Sequence, residues 1–266
     1  MSIESGRMMT KRIVDLSVTL ESGIASDPPG FLPHLDYIDH NAGASQMAEM
    51  FPGLNVDDLP GREGWAVEFV RMSTHSGTHM DAPYHYRSQT DEGQPAATID
   101  EIPLEWCFGP GVKLDLRHLP DGHVVGPDEI DAELLRIGHE LAPGDIVLVN
   151  TSAGARYGQE DYLDRGCGMG RAATLHLTRR GVRLVGTDAW SWDAPFSFTR
   201  SRFELDYDPS IIWEGHFAGS EIPYCQIEKL ANLEQLPDHG FEVISLPVKV
   251  HEGSGGWSRP VAIIKD

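Results

Sequence analysis

Residues 75 to 86 concentrate side chains that bind transition metals. His75, His79 and His85 lie within eleven positions of the chain, and Asp81 lies between them. Divalent transition metals take neutral imidazole nitrogen and carboxylate oxygen as ligands. Three protein ligands leave coordination positions for water and substrate, and the pKa of water on such an ion falls to about 7. The cluster therefore predicts a metal site that supplies a nucleophile without serine or cysteine.

The spacing of His75 and His79 is compatible with one face of a helix, but the residues around them oppose a helix. Gly77 lies between the two histidines, and Pro83 pushes its predecessor towards extended geometry. We predict a tight loop in which Gly77 lets both imidazoles reach one ion. Asp81, two residues beyond His79, points the same way along extended backbone.

His85 remains as a base beside the metal ligands, a proton shuttle or a fourth ligand, since histidine moves protons well near neutral pH. Two other classes stay open for this cluster. Two histidines and one carboxylate also describe the site of non-haem Fe(II) oxygenases. A non-catalytic metal-binding protein would hold the ion in a saturated shell, although structural zinc sites prefer cysteine ligands, which the cluster lacks.

The composition excludes several partners. Lys and Arg total 21 against 41 Asp and Glu, a net charge of −20, which argues against nucleic acid. We expect no membrane-spanning segment and no signal peptide in residues 1–12. Three widely separated cysteines without a CxxC pair suit a reducing compartment, so we expect a cytoplasmic protein that acts on a small molecule.

The hydrophobic pattern predicts a single α/β domain with a mixed sheet, over residues 1–266. Residues 21–64, rich in Pro, Gly, Asp and Asn, are expected to form an irregular arm or lid with only a short helix around residues 44–51. The predicted strands are residues 13–20, 65–72, 112–116, 145–150, 182–187, 241–250 and 260–265. The predicted helices are residues 127–141, 170–180 and 227–233.

Aromatic residues could form a wall for a planar substrate. Trp190 and Trp192 follow the predicted strand 182–187, and clefts commonly lie at strand ends. Together with Trp65 and Phe196 they are our candidate substrate-binding residues. Core packing is the alternative for each of these aromatic residues. The nearby Asp193 could bind metal or orient an imidazole, and a turn role is its alternative.

The histidine cluster resembles the putative cyclase family of metal-dependent hydrolases, which includes bacterial kynurenine formamidase and isatin hydrolase. Residues 75–85 match its pattern HxGTHxDxPxH at every fixed position. The resemblance continues through nearly the whole chain, in residues 15–17, 181–188, 228–233, 246–247 and 259–262.

The resemblance implies a swivelling β/β/α layered domain that assembles as a homodimer or homotetramer. It implies that His75, His79 and Asp81 bind a catalytic zinc or manganese ion with His85 beside it. In formamidase-like members a second zinc is completed by a downstream His and Glu, which would fall on His216 and Glu228. We therefore expect His216 as a further metal ligand and His85 and Glu228 as catalytic residues.

The implied reaction is hydrolysis of a linear formamide or a cyclic amide by metal-activated water. This chain is longer than a minimal formamidase, chiefly through residues 21–64. That difference favours a cyclic amide or imide, such as an isatin-like lactam, over an aryl formamide.

Overall fold

A computed structural model describes residues 11–265 of the chain. The prediction of no signal peptide in residues 1–12 falls mostly on residues 1–10, which lie outside this range. Within it, no helix is both long and apolar enough to cross a membrane.

The described residues form a mixed α/β structure with many short strands and few helices. The strands are β1 Lys11–Asp15, β2 His34–Ile38, β3 Val67–Arg71, β4 His79–Asp81, β5 Phe108–Asp115, β6 Val124–Val125, β7 Ile146–Asn150, β8 Gly168–Met169, β9 Leu184–Thr187, β10 Cys225–Glu228, β11 His239–Ile244, β12 Gly255–Trp257 and β13 Val261–Lys265. The α-helices are α1 His40–Met50, α2 Pro83–Tyr86, α3 Pro127–Ile137, α4 Arg171–Thr178, α5 Phe196–Asp206 and α6 Glu214–Phe217.

Nine strands form one mixed sheet, in the order β1-β13-β11-β5-β7-β9-β10-β4-β12. Its centre, β5-β7-β9-β10, is parallel, and the strands on both flanks pair antiparallel. The crossovers that connect the parallel strands carry α3 to α6. The predicted α/β class and mixed sheet are confirmed.

Alternate residues of β7 enter two separate cores, because successive strand side chains point to opposite faces. Val147 and Val149 pack with residues of α3 and α4. Ile146 and Leu148 pack with residues from the flanking strands, such as Met80. Both faces of the central strands are therefore covered, as expected for parallel strands.

Helix α3 shows why the predicted boundary at residue 141 is too late. The helix begins with Pro127, and the Glu129 carboxylate accepts a hydrogen bond from the Gly126 N–H at 2.7 Å. It ends at Ile137 because Gly138 adopts a left-handed conformation, with φ 68°.

The predicted helix at residues 227–233 is wrong. The first part of this segment belongs to β10, which pairs with β9 on one side and β4 on the other. Lys229 and Asn232 then take positive φ values of 58° and 60°. Strand pairing on both sides outweighs the helix-like spacing of the apolar residues.

The segment 21–64 contains more regular structure than its composition predicts. Strand β2 pairs antiparallel with β3 in a separate two-stranded ribbon, and α1 follows it directly. The Asp39 side chain caps α1 by accepting a hydrogen bond from the Ala42 N–H. Strand β2 was not predicted because most of its residues are exposed, and an exposed strand needs no alternation of apolar and polar residues.

Candidate metal site

His75 lies in the tight turn before β4, and His79 is the first residue of that strand, as the sequence predicts. Gly77 has a φ of 64°, and a Cβ atom there would lie 2.3 Å from Leu20 Cδ2. The positive φ favours glycine, and an added methyl group would require the Leu20 side chain to shift. His79 and Asp81 follow on the extended β4, where alternate residues share one face.

Gly77→Ala should destabilise the protein by about 1–3 kcal/mol, because it forces an L-residue into a left-handed conformation beside Leu20. Urea unfolding measures the change. Gly93→Ala is the matched control, since Gly93 also has a positive φ of 77° but has no neighbouring atom within 4 Å of the added methyl group. An equal loss in the two variants would show that contact with Leu20 contributes nothing.

Pairing between β4 and β10 brings a further carboxylate to the histidines. His79 lies opposite Glu228, and Asp81 lies opposite Gln226. Side chains opposite one another in an antiparallel pair lie on the same face. The result is a buried cluster in which His79 Nε2 is 3.2 Å from Asp81 Oδ1 and 3.6 Å from Glu228 Oε2.

The two oxygens of Asp81 face different imidazoles. Oδ1 lies 2.7 Å from His75 Nδ1 and 3.2 Å from His79 Nε2. Oδ2 lies 4.0 Å from His85 Nε2 and 3.9 Å from His216 Nε2. Two groups of potential ligand atoms, each within 4.8 Å of one another, therefore share Asp81. The first group is His75, His79 and Asp81, and the second is Asp81, His85 and His216.

The donor set fits a divalent cation. His79 Nδ1 lies 2.9 Å from the Gly77 carbonyl oxygen, so Nδ1 carries a proton and donates it. His79 Nε2 is buried and has no hydrogen-bond partner in the described part of the chain. In the neutral ring, this nitrogen directs its lone pair towards two carboxylates, an arrangement that a cation between them would stabilise.

Burial and neighbouring charges set the protonation states around Asp81. Burial alone would raise the pKa of Asp81, but its three neighbouring histidines outweigh burial and hold that pKa well below its usual range. Burial lowers the pKa of His85 to about 4. Asp81 is therefore an anion and His85 a neutral imidazole at neutral pH.

His216 is oriented by Asp193. The imidazole Nδ1 bonds to the Asp193 carboxylate, which also accepts the backbone N–H groups of Gly215 and His216. The Gln226 side-chain Nε2 lies 2.6 Å from His216 Nε2 and donates a hydrogen bond to Asp81 Oδ2 at 3.0 Å. Asp193 thus takes the orienting role that the sequence left as the alternative to a turn.

A cavity of about 350 Å³ opens beside the cluster. His75, His85, His216 and Glu228 reach its surface. Its other lining residues are Asp27, Pro28, Phe31, Trp190, Ser191, Phe196, Trp213 and Lys229. The volume is within the range of small-molecule sites.

Two of the four predicted aromatic residues line this cavity. Trp190 and Phe196 contact each other edge to face, with ring centroids 5.6 Å apart. Trp192 was predicted to bind substrate, but it is buried in the core and donates its indole N–H to Thr174 Oγ1 at 3.0 Å. Trp65 is not among the lining residues, and its indole N–H bonds to Gln46 instead.

Sequence reasoning missed Trp213, Phe31, Asp27 and Lys229 as lining residues. Trp213 stacks on His216 with ring centroids 4.3 Å apart. Its position three residues before the predicted ligand His216 was the one available signal. Asp27 and Phe31 lie far from the cluster in sequence, so only the fold shows their proximity.

Partly and fully buried imidazoles surround a shared carboxylate beside a cavity, and this arrangement places the protein in the class of metal-binding enzymes. The chain belongs to the putative cyclase family, whose sequence profile matches residues 14–194.

Curated relatives support this membership. The chain is 32% identical over 199 residues to a kynurenine formamidase of Salinibacter ruber. This alignment covers 74% of this chain and 78% of the relative. It is 27% identical over 253 residues to a kynurenine formamidase of Erythrobacter litoralis, with 94% and 93% covered.

Solved structures share the fold. Isatin hydrolase A from Labrenzia aggregata, bound to benzyl benzoate, superposes with a TM-score of 0.72 at 27% identity, covering 96% of this chain and 94% of that one. Isatin hydrolase A from Ralstonia solanacearum superposes with a TM-score of 0.75 at 22% identity, covering 96% and 92%.

Proposed function

We propose that this protein is a metal-dependent amidohydrolase that opens the C–N bond of a cyclic amide or imide, or of an aryl formamide. The observation that carries the proposal is the Asp81 carboxylate, faced by imidazoles on both sides next to an aromatic-lined cavity. Relatives named kynurenine formamidase and isatin hydrolase support the reaction class.

The metal in this proposal is Zn²⁺ or Mn²⁺. His75, His79 and Asp81 would hold one ion, and Asp81, His85 and His216 could hold a second, with Glu228 beside both groups. When bound, the metal supplies a Lewis acid for the scissile carbonyl and lowers the pKa of water to about 7.

His85 is the proposed proton carrier when one ion is bound, because an imidazole that binds a second ion has no free lone pair to accept a proton. Its imidazole reaches the cavity and lies 4.0 Å from Asp81 Oδ2, and burial lowers its pKa to about 4, so the ring is unprotonated at neutral pH. A proton taken from the attacking water can then be passed to the leaving nitrogen. Glu228 stays fixed meanwhile, because its Oε1 accepts hydrogen bonds from the Trp192 N–H and Gln226 Nε2, each at 3.0 Å.

The cavity favours a planar ring next to the amide. Trp190 and Phe196 line one part of it, and Trp213 stands edge-on to His85 with ring centroids 5.0 Å apart. Aromatic walls hold a flat ring by offset or edge contacts. A lactam or imide fused to a benzene ring would fit the cavity volume, and its flat ring would pack against these aromatic side chains.

A substrate screen tests the function. Metal-loaded protein is incubated with isatin, cyclic imides, N-formylkynurenine and lactones, with and without oxygen. We expect hydrolysis of at least one amide at the same rate in both conditions. A requirement for oxygen would favour the Fe(II) oxygenase alternative, and the absence of any hydrolysis would favour the non-catalytic one.

Assembly, location and domain organisation are part of the same proposal: a cytoplasmic homodimer or homotetramer of single-domain subunits, with residues 21–64 as an arm. Tyr37, Phe69 and Val70 on the β2–β3 ribbon are exposed, which supports burial of the ribbon against another subunit. Light scattering of the purified protein measures the assembly, and a monomeric mass would contradict it.

A further inference from the structure

Lys229 connects the segment 21–64 to the metal cluster. Its ammonium group donates to Asp27 Oδ1 at 2.6 Å and to the carbonyl oxygen of His75, also at 2.6 Å. The side chains of Lys229 and Asp27 are only 1% and 2% exposed. One buried cation therefore joins a residue of the arm to the backbone of a proposed ligand.

Two features of Lys229 are costly to the folded state. Removing an ammonium and a carboxylate from water carries a desolvation penalty that their attraction does not always recover. Lys229 also has a positive φ of 58°, which is strained for a residue with a side chain. Both costs fall on the residue directly after Glu228, at the surface of the cavity. Their location suggests a role at the site.

The arm segment held by Lys229 forms part of the cavity. Pro28 and Phe31, which follow Asp27, line it. The Phe31 carbonyl oxygen accepts a hydrogen bond from Ser76 Oγ at 2.7 Å. The segment is thus attached at two points, and each attachment involves His75 or its neighbour.

We propose that Lys229 is a positioning residue that fixes residues 26–31 as a wall of the substrate cavity by joining them to the His75 backbone. In this role it acts through Asp27 and Phe31 on the ring of the substrate, which makes it a determinant of specificity. The effect on substrate rests on the proposed function, whereas the attachment of the arm can be measured without substrate.

The test compares Lys229→Met with wild type, both metal-loaded. Hydrogen exchange followed by mass spectrometry should show exchange at least 10-fold faster in residues 26–31 of the variant. Chymotrypsin should also cut faster after Phe31. The KM for the ring-bearing amide hydrolysed by the wild type should rise at least 10-fold, whereas kcat and metal content should change less than 3-fold.

Lys113→Met is the matched control. Lys113 is another buried lysine, whose ammonium donates to the Leu236 carbonyl oxygen at 2.6 Å and lies 3.5 Å from Asp238. It does not line the cavity, so its loss should leave exchange in residues 26–31 and KM unchanged. Equal effects in both variants would overturn the proposal, because they would reflect general destabilisation.

Asp27→Asn provides a second variant if Lys229→Met fails to fold. It keeps an oxygen acceptor for Lys229 and removes the charge attraction, so exchange in residues 26–31 should accelerate at least 3-fold. Wild-type exchange rates in a folded variant would overturn the attachment. Faster exchange with an unchanged KM would overturn the role in specificity. If the wild type hydrolyses no amide, the proposed function fails, while the exchange measurement still decides the attachment.

Discussion

Asp81→Asn should lower kcat/KM by more than about 100-fold and remove bound metal. Substituting a residue that only hydrogen-bonds to a metal ligand typically lowers metal affinity or activity about 10–100-fold. Asp81 should matter more, because it belongs to both groups of potential ligands. Asparagine also has an NH2 donor in place of one carboxylate oxygen of Asp81. In one orientation this NH2 group would face His75 and His79, and in the other it would face His85 and His216. Steady-state kinetics and elemental analysis of the same preparation measure both effects.

Asp145→Asn is the control for this substitution. Asp145 is also buried and also bonds to a histidine, His139, at 2.9 Å, but it precedes β7 and takes no part in the metal cluster. It should keep metal and activity. An Asp81→Asn protein that retains full activity would contradict the assignment of Asp81 as the shared ligand.

His85→Ala should lower kcat by about 100- to 10,000-fold, the range expected when a general acid–base group is lost. The ion held by His75, His79 and Asp81 should remain, because His85 does not belong to that group. His79→Ala, by contrast, should lose both that ion and turnover. The comparison separates proton transfer from metal binding.

Metal content of the His85→Ala protein adds a second result. If two ions bind the wild type and one binds the variant, His85 is a ligand of the second ion. His139→Ala is the matched control, since that histidine pairs with Asp145 away from the cavity. Normal turnover by His85→Ala would contradict its proton role.

The metal cluster was largely predictable because its residues are close in sequence. Gly77 and the extended β4 determine locally where His75, His79 and Asp81 lie, so residue chemistry and backbone geometry were sufficient. The central strands were also predictable, since continuous apolar runs such as residues 146–149 indicate burial on both faces.

The rest depends on contacts between distant segments. Glu228 reaches His79 only because β10 pairs with β4, and the apolar spacing of residues 227–233 gave no sign of that pairing. Trp192 and Trp190 are two residues apart, yet one enters the core and the other the cavity. Local patterns could not determine which side of that turn faces the cavity.

Removal and return of the metal test the central claim most directly. The protein is stripped with a chelator, titrated with Zn²⁺ or Mn²⁺, and assayed for amide hydrolysis at each metal content. We predict no hydrolysis by the stripped protein and recovery in proportion to bound metal. Hydrolysis that continues at the original rate after complete removal of metal would contradict the account.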